Sequence, residues 1–520
     1  MKCSVLNRKT VFAVAFVAAL FSIFPLTDTD IWWHLACARE WVQTWTPSRS
    51  PVVNVHEYFQ RVVGFVYGIG GAPLLVAFKA VLWGIVFALF LLPHRERCAE
   101  SQSKPAALVG ATLAALVLFV FRYHFEIRPV LFSLLFLGIY WNLLPEILNS
   151  SSHSSRTSRL EPRTYFLLLF VLVIQWFWCK CQGLYILGPL FALAVLVSAW
   201  LGAWRLKIKL PKKVRLFHVG VVLALFAMPF LHSEGLNLFL YPFGLLDRLV
   251  GMSPSASVFA SEIAENRSPF TLLLAGENAL ECVVMIALCV AGLVFAVWNM
   301  LKGRLGLMPI CLFATAVLAL IAERNFVLYM PVLLYGTVVF STNHQPPTTN
   351  HQPPTTNHQP PTTNHFLLPT SYFLLFFLLG LWARSLLAYD ISMIASQRVP
   401  VDAAAWMAAH PHEGHLFNDD RAGGYLEFVN PSDPVYIDGR FILKTADFFE
   451  RYLRYADDPA LFMHDADSLH FGRAIFPLRY YARWGSLLSV LEAQEDWNVA
   501  YRDSLYIVLN HDIWNFVSER

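Results

Sequence analysis

The chain of 520 residues is 56% hydrophobic and only 14% charged, with a formal net charge of +3 and a mean hydropathy of +0.49. Soluble globular proteins carry about 25% charge and keep their apolar residues in short periodic runs. Composition therefore excludes an ordinary soluble protein, and so small a net charge gives no reason to expect a nucleic-acid partner.

Crossing roughly 30 Å of hydrocarbon takes a helix of about 20 residues, because a backbone in lipid must satisfy its own hydrogen bonds. Apolar runs near that length begin with Val11–Leu26. That run follows Lys9 and lacks a small-residue cleavage site, so it reads as a retained first helix. A long polar loop, Thr27–Gly71, rich in Trp, His and acids, comes next. Six runs follow: Leu74–Leu92, Ala106–Phe121, Val130–Leu144, Tyr165–Trp178, Leu184–Leu201 and Leu216–Leu231. A second long loop, His232–Asn278, contains the amphipathic stretch Asn237–Val250 and the polar stretch Ser261–Pro269. Cys282–Trp298, Leu305–Ala322, Phe326–Phe340 and Phe366–Leu387 bring the runs to eleven. Between the last two lies a tandem NHQPPTT repeat, Asn343–His365, whose Pro pairs block helix and which has no apolar face to bury. It reads as a disordered spacer.

The basic residues fall in alternate gaps: Lys2, Arg8 and Lys9; then Arg95, Arg97 and Lys104; then Arg156, Arg159 and Arg163; then a cluster from Arg205 to Arg215; then Lys302 and Arg304. By the positive-inside rule those gaps are cytoplasmic. The expected architecture is a mainly α polytopic membrane domain over residues 1–388, with about eleven spans and an N-in, C-out topology. Residues 389–520 form a small α/β domain on the non-cytoplasmic side. In that domain Val401–His410 and Thr445–Tyr455 read as helices, and His415–Asn418, Pro434–Ile437 and Ser504–Leu509 as strands. About 130 residues suffice for a core of their own. All eight cysteines lie in or beside the membrane region, where Cys179 and Cys181 could pair only with strain or stay free.

Chemistry-bearing residues gather at the predicted outer edge. Asp28 and Asp30 stand directly after the first span, followed by Trp32, Trp33 and His34. Two carboxylates two residues apart can converge on one cation, or one can raise the other's pKa into the range of a general base. They can equally mark a helix start as caps. His56 and Glu57 open a second amphipathic stretch, where Glu57 could simply offset a helix dipole. Arg122, His124, Glu126 and Arg128 fill the next outer loop. Arginines there oppose the positive-inside bias and suit an anion such as phosphate, or else pair with Glu126 or a lipid headgroup. His232 and Glu234, and Glu323, Arg324 and Asn325, form further outer clusters.

An Asp-x-Asp element directly after the first span, in a large outer loop with amphipathic helices, resembles the GT-C superfamily of membrane glycosyltransferases. More closely, Asp28–Leu35 (DTDIWWHL) with His56-Glu57, Arg128-Pro129, Arg324-Asn325, Leu416–Leu426 and Val435–Arg440 is similar to a little-characterised bacterial set of GT-C type. The resemblance covers most of the chain. It implies transfer of a sugar from a polyprenyl-phosphate donor to an acceptor hydroxyl of a glycan, lipid or protein, with inversion, at the outer face of a bacterial inner membrane. It implies Asp28 and Asp30 as catalytic groups, with Mg²⁺ or Mn²⁺ as an optional ion on the same two carboxylates. His34, His56, Glu57, Arg128 and Arg324 would contact the substrates. The sequence departs from the set at Trp178–Gly183, where an Asn-x-His-Gly-like turn is usual. A secondary transporter or flippase is the main alternative, although such folds place ionisable groups at mid-membrane rather than at the edge. A non-catalytic scaffold is another.

Overall fold

A computed structural model describes residues 5–92, 104–153, 162–254, 256–304, 306–336, 364–479 and 482–512. The NHQPPTT repeat lies, as far as residue 363, outside the described residues.

The chain opens with α1 (Val5–Phe21), turns through Asp28, and forms the short α2 (Asp30–Arg39). Helix α3 (Glu57–Leu91) begins in the first polar loop and runs on through the second apolar segment. It breaks at Gly70-Gly71, where Gly71 takes φ +64°, and Pro73 starts its second half. Only glycine adopts that backbone without strain. The bundle continues with α4 (Lys104–Val120), α5 (Pro129–His153), α6 (Pro162–Trp178), α7 (Leu187–Arg205) and α8 (Lys212–Ala227). The second polar loop holds α9 (Gly235–Val250), α10 (Ser257–Glu262) and α11 (Pro269–Leu274). Helices α12 (Ala279–Leu301), α13 (Leu307–Ile321), α14 (Phe326–Tyr335) and α15 (Asn364–Leu387) complete the bundle.

Among the described residues, the apolar runs lie largely on helices. Six helical segments among the described residues are long and apolar enough to cross a membrane: Glu57–Leu91, Pro129–Leu148, Gly183–Arg205, Lys212–Leu231, Ala279–Leu301 and Pro369–Leu387. Leu108–Val120, Pro162–Trp178 and Leu307–Ile321 are shorter apolar helices. Cys179 and Cys181 are buried free thiols.

The C-terminal region contains α16 (Val401–Ala409), β1 (His415–Asn418), α17 (Asp420–Val429), α18 (Ala446–Arg454), α19 (Pro459–Ser468), β2 (Phe471–Pro477), α20 (Gly485–Leu491), β3 (Trp497–Arg502) and β4 (Tyr506–His511). The sheet order is β1-β2-β4-β3, with β1 parallel to β2 and the other pairs antiparallel. Side-chain caps set three helix starts: Asp419 for α17, Thr445 for α18 and Asp458 for α19. The expected strand Pro434–Ile437 is not one. The Asn418 side chain takes the place of a ladder there, accepting from the Tyr436 amide at 2.8 Å and donating to the Ile437 carbonyl at 2.8 Å.

This domain docks on one end of the bundle, called here the domain end. A bridge joins Leu26 to Ile394, and α17 lies along α2. The main apolar core runs unbroken from the spans into Leu416, Ala422, Tyr425 and Leu426. A second core, around Phe417, Tyr436, Tyr452 and Phe462, takes in Val258 and Phe259 of the second polar loop. Phe259 stacks on Phe449 at 5.0 Å. Both polar loops and the C-terminal domain thus form one packed layer over the ends of the helices.

Candidate functional site

Arg128 immediately precedes α5, whose first residue is Pro129, a favoured N1 residue because its missing N–H would be unpaired there anyway. The guanidinium reaches in two directions at once. Nη2 donates to Asp28 Oδ1 at 2.9 Å and Nη1 donates to Glu265 Oε2 at 2.6 Å. Residues 100 and 137 positions away in sequence are therefore joined by one side chain. Two atoms of this chain of charges are left over among the described residues. Asp28 Oδ2 and Arg128 Nε are both buried with no hydrogen-bond partner. A buried ion with an unused lone pair or proton costs free energy unless a ligand completes it.

Asp28 is only 4% exposed. Its Oδ1 also accepts, at 3.3 Å, from the Asp30 amide. Thr29 at the head of α2 makes no side-chain cap, so Asp28 gives the helix a weak cap at most. Asp30 is the first residue of α2. Burial pushes its carboxyl up to about 8, helped by the Asp28 charge and opposed by Arg128. Behind this pair lies Glu126, which accepts a very short hydrogen bond from Thr27. Its second oxygen is buried and unpaired. Burial raises the Glu126 pKa, against the opposing charge of Lys79. Lys79, in α3 and fully buried, donates to the Phe24 carbonyl at 3.1 Å and rests on the Phe24 ring. It sits inside the run Leu74–Leu92, which hydropathy alone reads as nearly uncharged.

Arg324 does not touch the acids. It donates to Asn266 Oδ1 at 2.9 Å, one residue from Glu265. Burial pushes Glu265 up, but Arg128, with Arg324 and His124, overrides it and holds the carboxyl near 2. Glu265 and Asn266 lie within Ser261–Pro269, which the sequence marks only as polar. Their spacing to Arg128 carries no local signal.

The remaining predicted residues form a separate group. His34 and His56 pack edge to face at 5.1 Å, and His56 Nδ1 lies 3.3 Å from the Cys181 carbonyl. Burial lowers both imidazoles, His56 to about 4, so they are neutral at pH 7. Glu57 pairs with Arg61 at 2.7 Å and with Lys180 at 3.3 Å. Lys180 also makes a very short contact to Glu234. The departing turn Trp178–Gly183 thus supplies a buried cation that ties the two polar loops together.

The C-terminal domain closes over α2. Gly424 packs against the backbone of Thr29 and Trp33, and Gly439 lies against the Asp30 carboxylate. Arg398 donates to the Thr27 carbonyl at 3.2 Å. Arg440 is buried between Asp438 and Glu427, 2.8 Å from the latter, and also reaches the Val42 carbonyl at 2.7 Å.

Among the described residues, Asp28 and Asp30 belong to no set of three or more metal-ligating side chains. Among the described residues, such a set is formed by His124, Glu281 and Glu323.

No protein-family model matches the chain, and no curated protein matches it. Solved structures do. The archaeal oligosaccharyltransferase AglB from Archaeoglobus fulgidus, in complex with an inhibitory peptide and a dolichol-phosphate, superposes with a TM-score of 0.52 at 13% identity. That match covers 95% of this chain and 73% of the other. The apo form of the same organism's oligosaccharyltransferase gives 0.52 at 14% identity over 97% and 75% of the two chains. The form tethered to an acceptor peptide containing the NVT sequon gives 0.51 at 14% identity over 90% and 69%. With its long apolar helices and this likeness, the chain is a multi-pass membrane protein that shares the overall fold of these oligosaccharyltransferases.

Proposed function

We infer that the protein is a membrane glycosyltransferase that moves a sugar from a polyprenyl-phosphate-linked donor to an acceptor hydroxyl at the outer face of a bacterial inner membrane. The topology that goes with this is N-in, C-out, with about eleven spans and the C-terminal domain outside. One observation carries the reading. Arg128 is clamped by Asp28 and Glu265 at the domain end of the bundle, and its Nε is buried and unused. A phosphate oxygen is the kind of acceptor that completes such a donor.

In this reading the donor's lipid tail lies among the spans and its phosphate meets Arg128, with Arg324 alongside. The acceptor oxygen bonds to the anomeric carbon as the bond from that carbon to the phosphate oxygen breaks, and the electron pair leaves with the phosphate. The hydroxyl proton passes to Asp30, whose carboxyl lies near 8 and is a competent base around neutral pH. Asp28 fixes Arg128 and so fixes where the leaving charge is met. His34 and His56 line the same outer layer as neutral donors. Glu57 is spent on Lys180 and Arg61.

The optional ion fits at Asp28 rather than at Asp30. Asp28 Oδ2 and Glu126 Oε2 are buried carboxylate oxygens with no donor, as a hard cation such as Mg²⁺ or Mn²⁺ prefers. Asp30, protonated through much of the neutral range, is a poor ligand. Bound there, the ion would neutralise charge on the departing phosphate.

The test is Asp28→Asn and Asp30→Asn, made separately and assayed in proteoliposomes with labelled polyprenyl-phosphate sugars. Both variants should insert normally and lose transfer by about 100-fold or more. Full transfer in either variant would remove that residue from the mechanism. Lipid flipping without transfer in the wild type would favour the transporter.

A further inference from the structure

A second polar cluster sits at the domain end, outside the Asp28 site. His124 occupies the short turn between α4 and α5. Glu281 lies in the first turn of α12, and Glu323 in the turn between α13 and α14. His124 Nε2 lies 2.6 Å from Glu281 Oε1 and 3.9 Å from Glu323 Oε1. One ligand atom from each residue falls within 4.8 Å of the other two. The three side chains come from three separate elements, so no helical periodicity brings them together by default.

Glu323 is the informative member. It is only 9% exposed, and its carboxylate accepts no hydrogen bond among the described residues. At 3.9 Å its contact with His124 is an ion pair beyond hydrogen-bond range, so the carboxylate is only loosely held. Burial raises the Glu323 carboxyl, His124 opposes this, and Glu281 and Glu265 add to it. Two carboxylates thus share one imidazole.

We propose that His124 Nε2, Glu281 and Glu323 bind a divalent transition-metal ion, Zn²⁺ by the chemistry of the set, with water as fourth ligand. One imidazole nitrogen with two carboxylates suits zinc, whereas Mg²⁺ and Ca²⁺ prefer oxygen alone. Zinc bonds of about 2.0–2.1 Å place tetrahedral neighbours roughly 3.3 Å apart. The 2.6 Å contact must then open and the 3.9 Å contact close, each by less than about 1 Å at the tips of side chains. Metal binding would replace a proton shared between His124 and Glu281 and give Glu323 a direct bond where it now has an ion pair with His124 at 3.9 Å.

The consequence is a staple. The ion joins the turn before α5 to α12 and to the turn before α14, and Glu323 is followed directly by Arg324. Arg324 in turn holds Asn266 beside Glu265. The metal thus positions the rim of the Asp28 site without touching it, and the inference does not depend on the transfer reaction.

The test uses the full chain in detergent, stripped with a chelator, dialysed and titrated with Zn²⁺ alone. Calorimetry and metal analysis should find one zinc per chain with a raised melting temperature. X-ray absorption should show nitrogen and oxygen ligands only. Glu323→Gln should weaken binding on the order of 100-fold, as should Glu281→Gln, which is nearer the surface and keeps the fold if the first variant does not. Asp28→Asn should bind zinc as the wild type does. Absence of stoichiometric zinc, unchanged affinity in both glutamate variants, or a sulfur ligand would overturn the proposal. So would loss of zinc in Asp28→Asn, which would leave a plain ion pair at His124 and place the metal at the Asp28 site.

Discussion

Gly439 lies directly against the carboxylate of Asp30: a Cβ on Gly439 would fall 1.9 Å from Asp30 Oδ1. The first acidic pair after α1 and the loop after Ile437 are therefore two walls of one place. The residues flanking Gly439 are fixed, since Arg440 bonds Asp438 through its backbone amide at 2.7 Å and through its guanidinium. The C-terminal region therefore forms one wall of the candidate site as well as packing on the bundle.

Two glycine substitutions separate that role from mere packing. In Gly439→Ala the new methyl meets the movable tip of Asp30, so the fold should hold to within about 2 °C. Asp30 must swing away, and sugar transfer should fall about 10-fold or more. In Gly423→Ala the methyl would lie 2.0 Å from the Ile437 carbonyl oxygen, which is backbone. That variant should lose about 1–3 kcal/mol of stability, read by thermal melting in detergent. Equal loss of stability in both variants would make Gly439 a packing residue only.

The Asp30 carboxyl supplies a pH signature. Burial among its neighbours, with the Asp28 charge second, holds it near 8. A base acts when deprotonated, so the transfer rate should climb as pH passes from 6 toward about 8 and level off above it. Removing the neighbouring charge in an Asp28→Asn background should shift the remaining activity's midpoint downward. A profile flat from pH 6 to 9 would show that Asp30 is not the base.

The helical character of the bundle was legible because a backbone in lipid must satisfy its own hydrogen bonds, and the described parts of the apolar runs lie largely on helices. The expected end of the polar loop at Gly71 coincides with the break inside α3, but the break itself was not read from the sequence. That Pro434–Ile437 is not a strand was hidden, because Asn418 side-chain bonds stand in for a ladder that hydropathy cannot distinguish from a real one. Strands β2 and β3 also escaped notice. β2 is buried at every position, which removes the alternation that marks a half-exposed strand. Of the site, Asp28 and Arg128 could be named from their positions at span edges. Asp438-Gly439-Arg440 could be marked as a turn or binding element after an expected strand, but its contact with Asp30 could not, nor could Glu265 and Lys79, since those roles come from contacts made across long sequence separations.

Arg440 offers a stability test of the docking layer. It is buried with Asp438 and Glu427, both about 1% exposed. Its charge, against burial, holds Asp438 below the usual carboxylate range, while burial and Asp438 raise Glu427. Arg440→Met leaves two buried acids uncompensated and should destabilise the domain by about 3–5 kcal/mol at pH 7. The sign with pH is distinctive. Protonation relieves the stranded acids, so the variant should recover relative to the wild type as pH falls toward 5. A variant equally impaired at both pH values would point to lost packing against Trp33 and Trp41 instead.

Arg128 should tolerate no cationic substitute. Its fork serves Asp28 and Glu265 at once, and lysine, a single ammonium on a flexible stem, cannot bridge both and still offer a buried Nε–H. Arg128→Lys should therefore reduce transfer at saturating donor and raise the donor KM together, by about 10-fold or more each. Glu265→Gln tests the other arm. Because the folded carboxyl is held near 2 against an ordinary 4.5, its contribution to stability is complete above about 4.5 and is lost as pH falls toward about 2. The melting-temperature gap between wild type and Glu265→Gln should thus be widest at pH 6–7 and close below pH 4. Glu265 is partly exposed, so salt should narrow the same gap. A gap independent of both pH and salt would mean that Glu265 holds its loop by packing, and that Asp28 alone orients Arg128.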